Sequence, residues 1–342
     1  MTAITDKSVL IVGTFLSATT GRHSVCEALA ERLAEHGWKV LTTSAQRSRI
    51  ARLIDMGRTA WATRKRYRVA QVDVYSGLAF VWAEVVCWIL RRARKPYILT
   101  LHGGNLPAFA ERWQGRVRRL LQSAEVVTTP SRYLLENMQR YREDLCLLPN
   151  PVSIEGFPFQ LREKARPHLI WLRAFHEIYN PSLAVKVVAA LDDVHLTMIG
   201  YDKGDGTLQQ AQQLATELGV TERVEFVLGV PHDDVALWLN KGDIFINTTN
   251  FDNTPISVLE AMACGLCVVS TNVGGIPYLL DDEHDALLVP ANDAGAMADA
   301  VRRLLTQPDL AMRLSSNGRA KAESFDWGAI YPQWESLLLE VV

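Results

Sequence analysis

The feature that most constrains this chain is a regular alternation of short, β-rich apolar runs with longer segments of helical periodicity. Strands that alternate with helices form βαβ units, which build parallel sheets covered by helices. The sequence therefore predicts an α/β protein with doubly wound parallel sheets. The predicted strands are 8–13, 38–43, 72–76, 96–102, 125–130 and 145–150 in the first half, and 168–173, 194–200, 224–229, 243–249, 267–271 and 286–290 in the second.

A stretch rich in proline and glycine, PNPVSIEGFPF at 149–159, separates the two series of strands. The chain has 342 residues, which is more than one hydrophobic core usually serves. We therefore expect two domains, residues 1–152 and 153–325, followed by a terminal helix over 326–342. Open parallel sheets bind ligands beyond the carboxyl ends of their strands, so two such domains facing each other would form a binding cleft.

The small overall net charge of −2 hides a strong asymmetry, because residues 1–150 carry a net charge of +11 and the remainder −13. The densest basic stretch, Arg47 to Arg68, has eight Lys or Arg residues and one acidic residue, Asp55. It is interpreted either as the solvated face of a helix packed on its own domain or as a surface that attracts anionic lipid headgroups or an anionic acceptor. Nucleic acid is disfavoured, because no basic module with interleaved aromatic residues is present. The apolar residues at helical spacing in this stretch are Ile50, Leu53, Ile54 and Trp61, with Gly57 as a gap.

Apolar segments long enough to span a membrane are missing from the sequence. The longest apolar stretch, Leu78 to Leu90, has 13 residues and contains Glu84, whereas a spanning helix needs about 20. The opening apolar run, Val9 to Val12, is too short for a signal peptide. Five cysteines, an odd number, argue against a disulfide framework. We expect a soluble cytoplasmic protein in which residues 78–90 form a helix against the sheet.

The most informative segment is DNTPISVLEA at 252–261, which follows a predicted strand. Thr254 is a good helix N-cap and Pro255 suits the first helical position, so we expect a helix to begin there. The free N–H groups of Ile256 and Ser257 would then form a phosphate site at the positive end of the helix dipole.

Two carboxylates belong to the same segment. Asp252 lies just ahead of the expected helix start, and Glu260 lies two turns into the helix. Both could therefore flank one bound ligand, with Asp252 near its phosphate end and Glu260 farther along.

The residues from Asp252 to Pro290, with their EAMACG sequence, resemble the donor-site region of the family 4 retaining glycosyltransferases, which have the GT-B fold. The resemblance extends over most of the chain. It includes SGLAF at 76–80, TLHGGNLP at 100–107, TTPSRYL at 128–134, LPNPV at 148–152, and FDW at 325–327, which opens a last helix that in the family crosses back to the first domain. It implies an enzyme that transfers a sugar from a nucleotide-diphosphate sugar to an acceptor hydroxyl, with retention of configuration.

The resemblance also implies roles for individual residues. Glu260 matches the family's second glutamate, which bonds the nucleotide ribose, and Asp252 stands where the first glutamate contacts the transferred sugar. Arg173 matches a basic residue that clamps the donor diphosphate, and His102 matches a histidine that faces the sugar from the first domain. The backbone N–H groups of Ile256 and Ser257 would bind the diphosphate; Gly21 resembles the family's flexible glycine loop, and Asn253 and Thr254 would line the donor sugar site.

Two departures from the family pattern affect the expected donor site. The lysine that often follows the diphosphate arginine is absent from residues 173–182, so Arg173 acts alone or is assisted by His176 or Arg22. Asn253 replaces the glycine that usually follows the first carboxylate, and this changes the wall around the sugar.

No metal ion and no cofactor are expected beside the nucleotide-sugar donor. The D-x-D motif that metal-dependent sugar transferases of the other major fold use at a strand end is missing, and the C-x-x-C of Cys264 and Cys267 has no second ligand pair. Alone, His102 at a strand end would more often be a structural residue, and its place in TLHGGNLP favours a function.

The expected role is surface polysaccharide or glycoconjugate synthesis, with a glycan or lipid-linked acceptor and peripheral association with the inner face of the cytoplasmic membrane. Two alternatives remain open. One is another enzyme on the same fold, such as a nucleotide-sugar epimerase or a phosphorylase. The other is a non-catalytic, membrane-associated adaptor, which is favoured only by the missing lysine and the aspartate at 252.

Overall fold

The computed structural model describes residues 7–17 and 24–342. The chain divides into two compact units. The first unit holds the residues up to Pro151 together with Gly328–Val342, and the second holds Val152–Trp327. The chain therefore passes from one unit to the other within the segment rich in proline and glycine.

The first unit contains a six-stranded parallel sheet with the strand order β2-β1-β3-β4-β5-β6. The chain passes from β1 to β2 on one side of β1 and then returns to the other side of β1 for β3. The switch point of this doubly wound sheet therefore lies between β1 and β3. The strands are β1 Ser8–Val12, β2 Lys39–Thr43, β3 Val69–Val74, β4 Tyr97–Leu101, β5 Val126–Thr129 and β6 Leu145–Leu147.

Helices connect these strands, as the periodicity predicts. The first begins after Ser24, whose hydroxyl accepts the N–H of Glu27 while the Glu27 carboxylate accepts the N–H of Ser24. This reciprocal capping box satisfies two N–H groups that the first turn leaves free. The helices of the unit are Val25–Glu35, Arg49–Ala62, Leu78–Arg92, Leu106–Arg112, Gln114–Leu121, Arg132–Met138 and the terminal Trp327–Val341, which starts at the last residue of the second unit.

The second unit repeats this architecture with the strand order β12-β11-β10-β7-β8-β9, all parallel. Its switch point lies between β7 and β10, because the chain leaves β7 toward β8 and β9 and returns to the other side for β10. The doubly wound parallel sheets predicted from the sequence are thus confirmed. The strands are β7 His168–Leu172, β8 His195–Gly200, β9 Val224–Leu228, β10 Ile244–Asn247, β11 Cys267–Thr271 and β12 Ala286–Val289.

Both faces of the second sheet are covered. Along β7, Leu169 and Trp171 belong to one hydrophobic core and Ile170 to the core on the opposite face. This alternation is expected of a parallel strand that is buried on both sides. The α-helices are Pro181–Ala189, Thr207–Glu217, Val235–Leu239, Ile256–Ala263, Ile276–Leu279, Ala294–Thr306 and Pro308–Ser324, and short 3₁₀ turns span Glu177–Tyr179, Thr221–Arg223 and His232–Asp234.

The terminal helix completes the first unit. Glu335 accepts hydrogen bonds from Lys7 Nζ at 2.9 Å and from Trp38 Nε1 at 3.3 Å, and the ring of Tyr331 stacks on His36 with a centroid distance of 4.0 Å. The two ends of the chain therefore build one unit.

The Arg49–Ala62 helix differs from the simple amphipathic pattern expected for it. Its buried residues are Arg52, Met56 and Ala60, whereas Ile50, Ile54 and Trp61 are 73%, 55% and 46% exposed. The helix therefore packs on its own domain, and three of the four apolar residues named for its spacing lie on the outward face. Arg52 is accommodated on the buried side because its guanidinium donates two hydrogen bonds to the carbonyl of Gln46.

The apolar segment at 78–90 lies in the Leu78–Arg92 helix, which buries one face that includes Phe80, Val86 and Leu90. Within residues 7–17 and 24–342, no helix has both the length and the apolar character needed to cross a bilayer.

Candidate functional site

The switch point of the second sheet brings together the ends of β7 and β10, and two charged residues follow these strands. Arg173 comes directly after β7, and Asp252 lies in the loop after β10. Their side chains form an ion pair with an Nη2–Oδ2 distance of 2.5 Å. The carboxyl edge of a parallel sheet at its switch point is where such folds bind ligands, so this pair lies where the fold predicts a site.

The guanidinium of Arg173 is held from two sides. Besides its contact with Asp252, it lies 4.9 Å from the centroid of the Tyr179 ring, within the range of a cation–π interaction. Its Nε atom is buried and has no hydrogen-bond partner among the described residues. Arg173 is thus a positioned cation with an unused donor, which suits the binding of an anion.

The helix that follows Asp252 spans Ile256–Ala263. The prediction of Thr254 as N-cap and Pro255 as first helical residue was wrong by one position, because Pro255 is itself the N-cap, with an extended ψ of 112°. A proline cap offers no side-chain acceptor, and no side-chain cap is made. The N–H groups of Ile256 and Ser257 remain at the start of the helix, where no intrahelical acceptor reaches them.

Two further polar groups lie on this helix. The hydroxyl of Ser257 is buried and has no hydrogen-bond partner in the described part of the chain. Glu260 is also buried, and its Oε1 lies 3.9 Å from Nδ1 of the exposed His232. Burial raises the pKa of the Glu260 carboxyl, while the charges of His232 and Arg173 act in the opposite direction. Asp252, Arg173, Ser257 and Glu260 thus belong to one polar site of the second unit.

A glycine pair fixes the loop that carries Asp252. The N–H of Gly275 donates to the carbonyl of Asp252 at 2.7 Å. A Cβ at Gly274 would lie 2.3 Å from that carbonyl oxygen, and one at Gly275 would lie 2.1 Å from the carbonyl oxygen of Asn253. Both contacts are too close for any side chain, so the two glycines allow the backbones to touch and hold Asp252 in place.

A second polar cluster lies at the switch point of the first unit. His102 follows β4, and its Nε2 lies 3.0 Å from Oδ1 of Asp73 on β3. Both side chains are buried, and the ring of Tyr75 stacks on the imidazole with a centroid distance of 4.9 Å. Burial and the charge of Asp73 raise the pKa of Tyr75, so its phenol stays neutral.

Other residues remain to be placed: some that the sequence analysis named, and two that it did not name. His176 is engaged elsewhere, because its Nδ1 accepts the N–H of Ile178 and its Nε2 lies 3.8 Å from Asp205. Gly21 and Arg22 lie outside the described residues. Sequence reasoning missed Tyr179 and His232. Tyr179 reaches Arg173 through the short 3₁₀ turn that follows β7, and His232 contacts Glu260 from a separate turn earlier in the chain. Only the position of His232 just after a strand end could have drawn attention to it.

The C-x-x-C cysteines contribute to the core of the second unit. Cys264 and Cys267 are both buried, and burial raises the pKa of each thiol to about 12. Thiols with such values stay protonated and unreactive at neutral pH.

Comparison with solved structures places the fold. Sucrose-phosphate synthase from Thermosynechococcus elongatus superimposes with a TM-score of 0.75, at 19% identity over 98% of each chain. HepE from Anabaena, solved in complex with UDP, superimposes with a TM-score of 0.76, at 15% identity over 98% of this chain and 100% of that one. Two doubly wound units with a terminal helix of this kind define the GT-B fold.

Family comparison gives the particular group. The model described as Glycosyltransferase Family 4 matches residues 20–155, and the model described as Glycosyl transferases group 1 matches residues 153–321. The chain therefore belongs to the family 4, or group 1, glycosyltransferases. A curated relative, D-inositol 3-phosphate glycosyltransferase of Streptomyces bingchenggensis, is 24% identical over 294 residues, which cover 79% of this chain and 61% of that protein. The chain thus spans less than two thirds of that relative.

Proposed function

We propose that this glycosyltransferase moves a sugar from a nucleotide-diphosphate sugar to an acceptor hydroxyl with retention of configuration. The observation that carries the proposal is the cation of Arg173 beside a helix start with free N–H groups at the switch point of the second sheet. A diphosphate is the ligand that this combination suits, because a positioned guanidinium and a helix N-terminus both stabilise negative charge.

The proposed roles follow from these positions. Arg173 and the N–H groups of Ile256 and Ser257 bind the diphosphate and stabilise the charge that develops on it as the glycosidic bond breaks. Glu260 accepts hydrogen bonds from the ribose hydroxyls, and Asp252 faces the transferred sugar beside Asn253 and Thr254. His102 and the rest of the first unit bind the sugar and the acceptor. A diphosphate oxygen takes the proton of the attacking hydroxyl, and no metal ion is required.

The relatives support this donor class without fixing the sugar. HepE has been solved with UDP and, separately, with UDP-glucose. The curated relative is a glycosyltransferase named for an inositol phosphate acceptor. We extend to this chain only the donor class, a nucleotide-diphosphate sugar, together with a hydroxyl acceptor on a glycan or lipid-linked molecule.

The test is a thermal-shift panel of UDP, GDP, ADP and CDP and their common sugars, with EDTA present. A ligand at 100 times its Kd adds about 2.7 kcal/mol to the free energy of unfolding. We expect the nucleotides of one base to raise the Tm of the wild type and to leave the Tm of Glu260→Ala unchanged. A Tm that no nucleotide raises would contradict the proposed donor site, and a shift that needs a divalent metal would contradict metal-independent binding.

We further propose that the Arg49–Ala62 helix attaches the protein to an anionic membrane surface. Its outward face combines the exposed side chains of Ile50, Ile54 and Trp61 with that of Arg58, and these residues recur at helical spacing. Apolar side chains surrounded by cations match a surface of anionic headgroups above acyl chains, since each apposed Lys or Arg contributes about 1 kcal/mol. Lipid-linked acceptors are found at such surfaces.

Flotation with vesicles of neutral and of anionic lipids tests this attachment. The wild type should float with anionic vesicles at low salt, and a variant with Ile50, Ile54 and Trp61 changed to serine should not. Leu237→Ser, which alters an equally exposed apolar residue of the second unit, is the matched control and should float like the wild type. A wild-type protein that stays unbound would contradict the attachment.

A non-catalytic adaptor on this fold remains the second candidate, favoured by Asp252 and the missing lysine. It predicts nucleotide binding without transfer. A coupled assay that detects release of the nucleoside diphosphate in the presence of candidate acceptors separates the two.

A further inference from the structure

His102 of the first unit is held by contacts to its ring and to its backbone. His102 Nε2 lies 3.0 Å from Asp73 Oδ1, and the backbone N–H of His102 donates to the carbonyl of Val74 at 2.8 Å. The Tyr75 ring is nearly parallel to the imidazole, with an interplanar angle of 17°. By contrast, Nδ1 of His102 makes no hydrogen bond to the described residues.

The Asp73 carboxylate accepts a second hydrogen bond, as expected of a group that acts only as an acceptor. The side-chain Nε2 of Gln71 donates to Asp73 Oδ1 at 2.8 Å and to Thr100 Oγ1 at 2.9 Å. Thr128 Oγ1 lies 3.1 Å from the same Thr100 oxygen, so the chain of hydrogen bonds crosses β3, β4 and β5. Because an ionised carboxylate only accepts hydrogen bonds, His102 Nε2 must carry the hydrogen in its contact with Asp73.

Space for this carboxylate depends on the end of β1. A Cβ at Gly13 would lie 2.8 Å from Asp73 Oδ2 and 2.5 Å from Cys26 Sγ. The Cys26 Sγ atom lies 3.2 Å from Ser24 Oγ and 3.7 Å from the carbonyl oxygen of Thr14, and burial, together with the charge of Asp73, raises the pKa of the thiol to about 12, so the thiol stays neutral. The two donors of this carboxylate, His102 Nε2 and Gln71 Nε2, both lie at Oδ1.

From these contacts we infer that Asp73 is a positioning residue that keeps a hydrogen on Nε2 of His102, so that Nδ1 is the ring nitrogen left to accept a hydrogen bond from a substrate hydroxyl. In a neutral imidazole, one nitrogen donates and the other accepts, and the partner of the first decides which is which. Binding of the hydroxyl rests on the proposed sugar transfer, whereas the tautomer does not. Asp73 itself touches no substrate.

The tautomer is measured directly in the ligand-free, full-length protein. Two-bond ¹H–¹⁵N spectra of ¹⁵N-histidine-labelled protein distinguish protonated from unprotonated ring nitrogens, and the signals that vanish in His102→Gln assign the residue among the eight histidines. We expect an unprotonated Nδ1 and a protonated Nε2 at pH 7.5. A cationic ring, or a hydrogen on Nδ1, would overturn the inference.

Two substitutions of Asp73 separate positioning from simple packing. Asp73→Asn keeps an acceptor oxygen at Oδ1, so it should retain the Nε2–H pattern and most of the rate. Asp73→Leu, of similar size, removes the acceptor; the ring should then sample both tautomers, and kcat should fall by about 10–100-fold, the range seen when the partner that orients a metal-bound histidine is lost.

Asp55→Asn is the matched control, because Asp55 is another carboxylate of the first unit that accepts a hydrogen bond, from Thr43 Oγ1, and touches no histidine. It should leave both the spectrum and kcat unchanged. If Asp73→Leu also leaves both unchanged, the inference is wrong. A wild type with the expected tautomer but no transfer from any sugar nucleotide would contradict the proposed function and the bound hydroxyl, and leave the tautomer standing.

Discussion

The polar groups at the two switch points are organised in opposite ways. At the β7–β10 switch point of the second unit, Arg173 Nε and the Ser257 hydroxyl are buried without partners among the described residues. At the β1–β3 switch point of the first unit, the Asp73 carboxylate accepts hydrogen bonds from His102 and Gln71. The site of the second unit leaves a donor of its cation and a hydroxyl unpaired, whereas the carboxylate of the first unit is already hydrogen-bonded within the protein. The unpaired buried atom beside that carboxylate, in the described part of the chain, is a carbonyl oxygen, Gln71 Oε1.

This difference indicates how the two sites meet their ligands. Unpaired buried polar groups are costly, so a site that retains them gains most when a ligand supplies the missing partners. A carboxylate that the protein already hydrogen-bonds gains little from a ligand and instead fixes the geometry of a neighbouring ring, here that of His102 with its Nδ1. The second unit should therefore be stabilised strongly by its ligand, and the first unit should respond weakly.

The largest expected effect comes from removing the cation of the second unit. Arg173→Ala should lower the rate of transfer by about 10²–10³-fold, as the loss of one preorganised donor to a developing negative charge does. Steady-state kinetics with the donor found in the thermal-shift panel measures it. Lys203→Ala is the control, because Lys203 likewise lies over a tyrosine ring, that of Tyr201, and has no proposed contact with the donor. Equal rates for Arg173→Ala and wild type would remove the assigned role.

The glycines next to the two sites should differ in their tolerance of a methyl group. Gly275→Ala places Cβ against the backbone carbonyl of Asn253, which cannot move aside, and should lower the free energy of unfolding by about 1–3 kcal/mol. Gly13→Ala meets side-chain atoms of Cys26 and Asp73 rather than backbone, and should cost less. Urea unfolding of both variants gives the ranking, and the reverse order would contradict this view of the two loops.

Glu260→Gln should separate stability from binding. Burial raises the pKa of Glu260, so the ionised carboxyl destabilises the native state at pH values above the ordinary range for glutamate. The neutral amide should therefore raise the Tm near pH 8, by about 2–4 °C for each 1 kcal/mol gained, and the gain should vanish near pH 4 as Glu260 itself becomes protonated. The same variant should weaken nucleotide binding.

Glu283→Gln is a control for which the change in Tm should have the opposite sign. Hydrogen bonds from Arg303 hold the pKa of Glu283 below its usual value, so its loss should lower the Tm slightly at neutral pH and not at low pH. Thermal unfolding across pH 4–8 tests both variants together. A Glu260→Gln protein less stable than wild type at pH 8 would show that the carboxylate is not strained.

The smallest effect should come from the far end of the network in the first unit. Thr128→Val keeps the shape of the side chain and removes the hydroxyl that lies 3.1 Å from Thr100 Oγ1. The expected loss is about 0.5–1.5 kcal/mol of unfolding free energy, with no change in nucleotide affinity. Urea unfolding and a nucleotide titration are the two readouts; a large loss of nucleotide affinity would contradict the separation of the two sites.

The sequence predicts the sheets well and the ends of elements less well. Strand β11 occupies Cys267–Thr271, the bounds predicted from its sequence. A short apolar run between turn residues can form few other elements than a buried strand. Strand β3 begins three residues before its predicted start at Val72, since Val69 and Ala70 are buried by neighbours that the local sequence does not contain. The helix start at Pro255 was missed for a related reason: its ψ depends on the packing of the loop against the glycine pair.

Site residues that lie close together in sequence were easier to propose than those that meet across loops. Asp252 and Glu260 share one helix start, so spacing alone brought them together. The contact of Arg173 with Asp252 joins residues 79 positions apart, and only the resemblance linked them. The outward face of Ile50, Ile54 and Trp61 could not be distinguished from a buried stripe, because periodicity identifies a face and not its neighbour.

The terminal helix sets an order of events during synthesis. Trp38 and its hydrogen-bond acceptor Glu335 are 297 residues apart, and at a synthesis rate of about 5–20 residues per second the ribosome needs roughly 15–60 s to make the chain between them. The whole of Val152–Trp327 leaves the ribosome before the first unit receives its last helix. The surface around Lys7, His36 and Trp38 of the nascent amino-terminal sheet therefore stays uncovered until this helix has been synthesised.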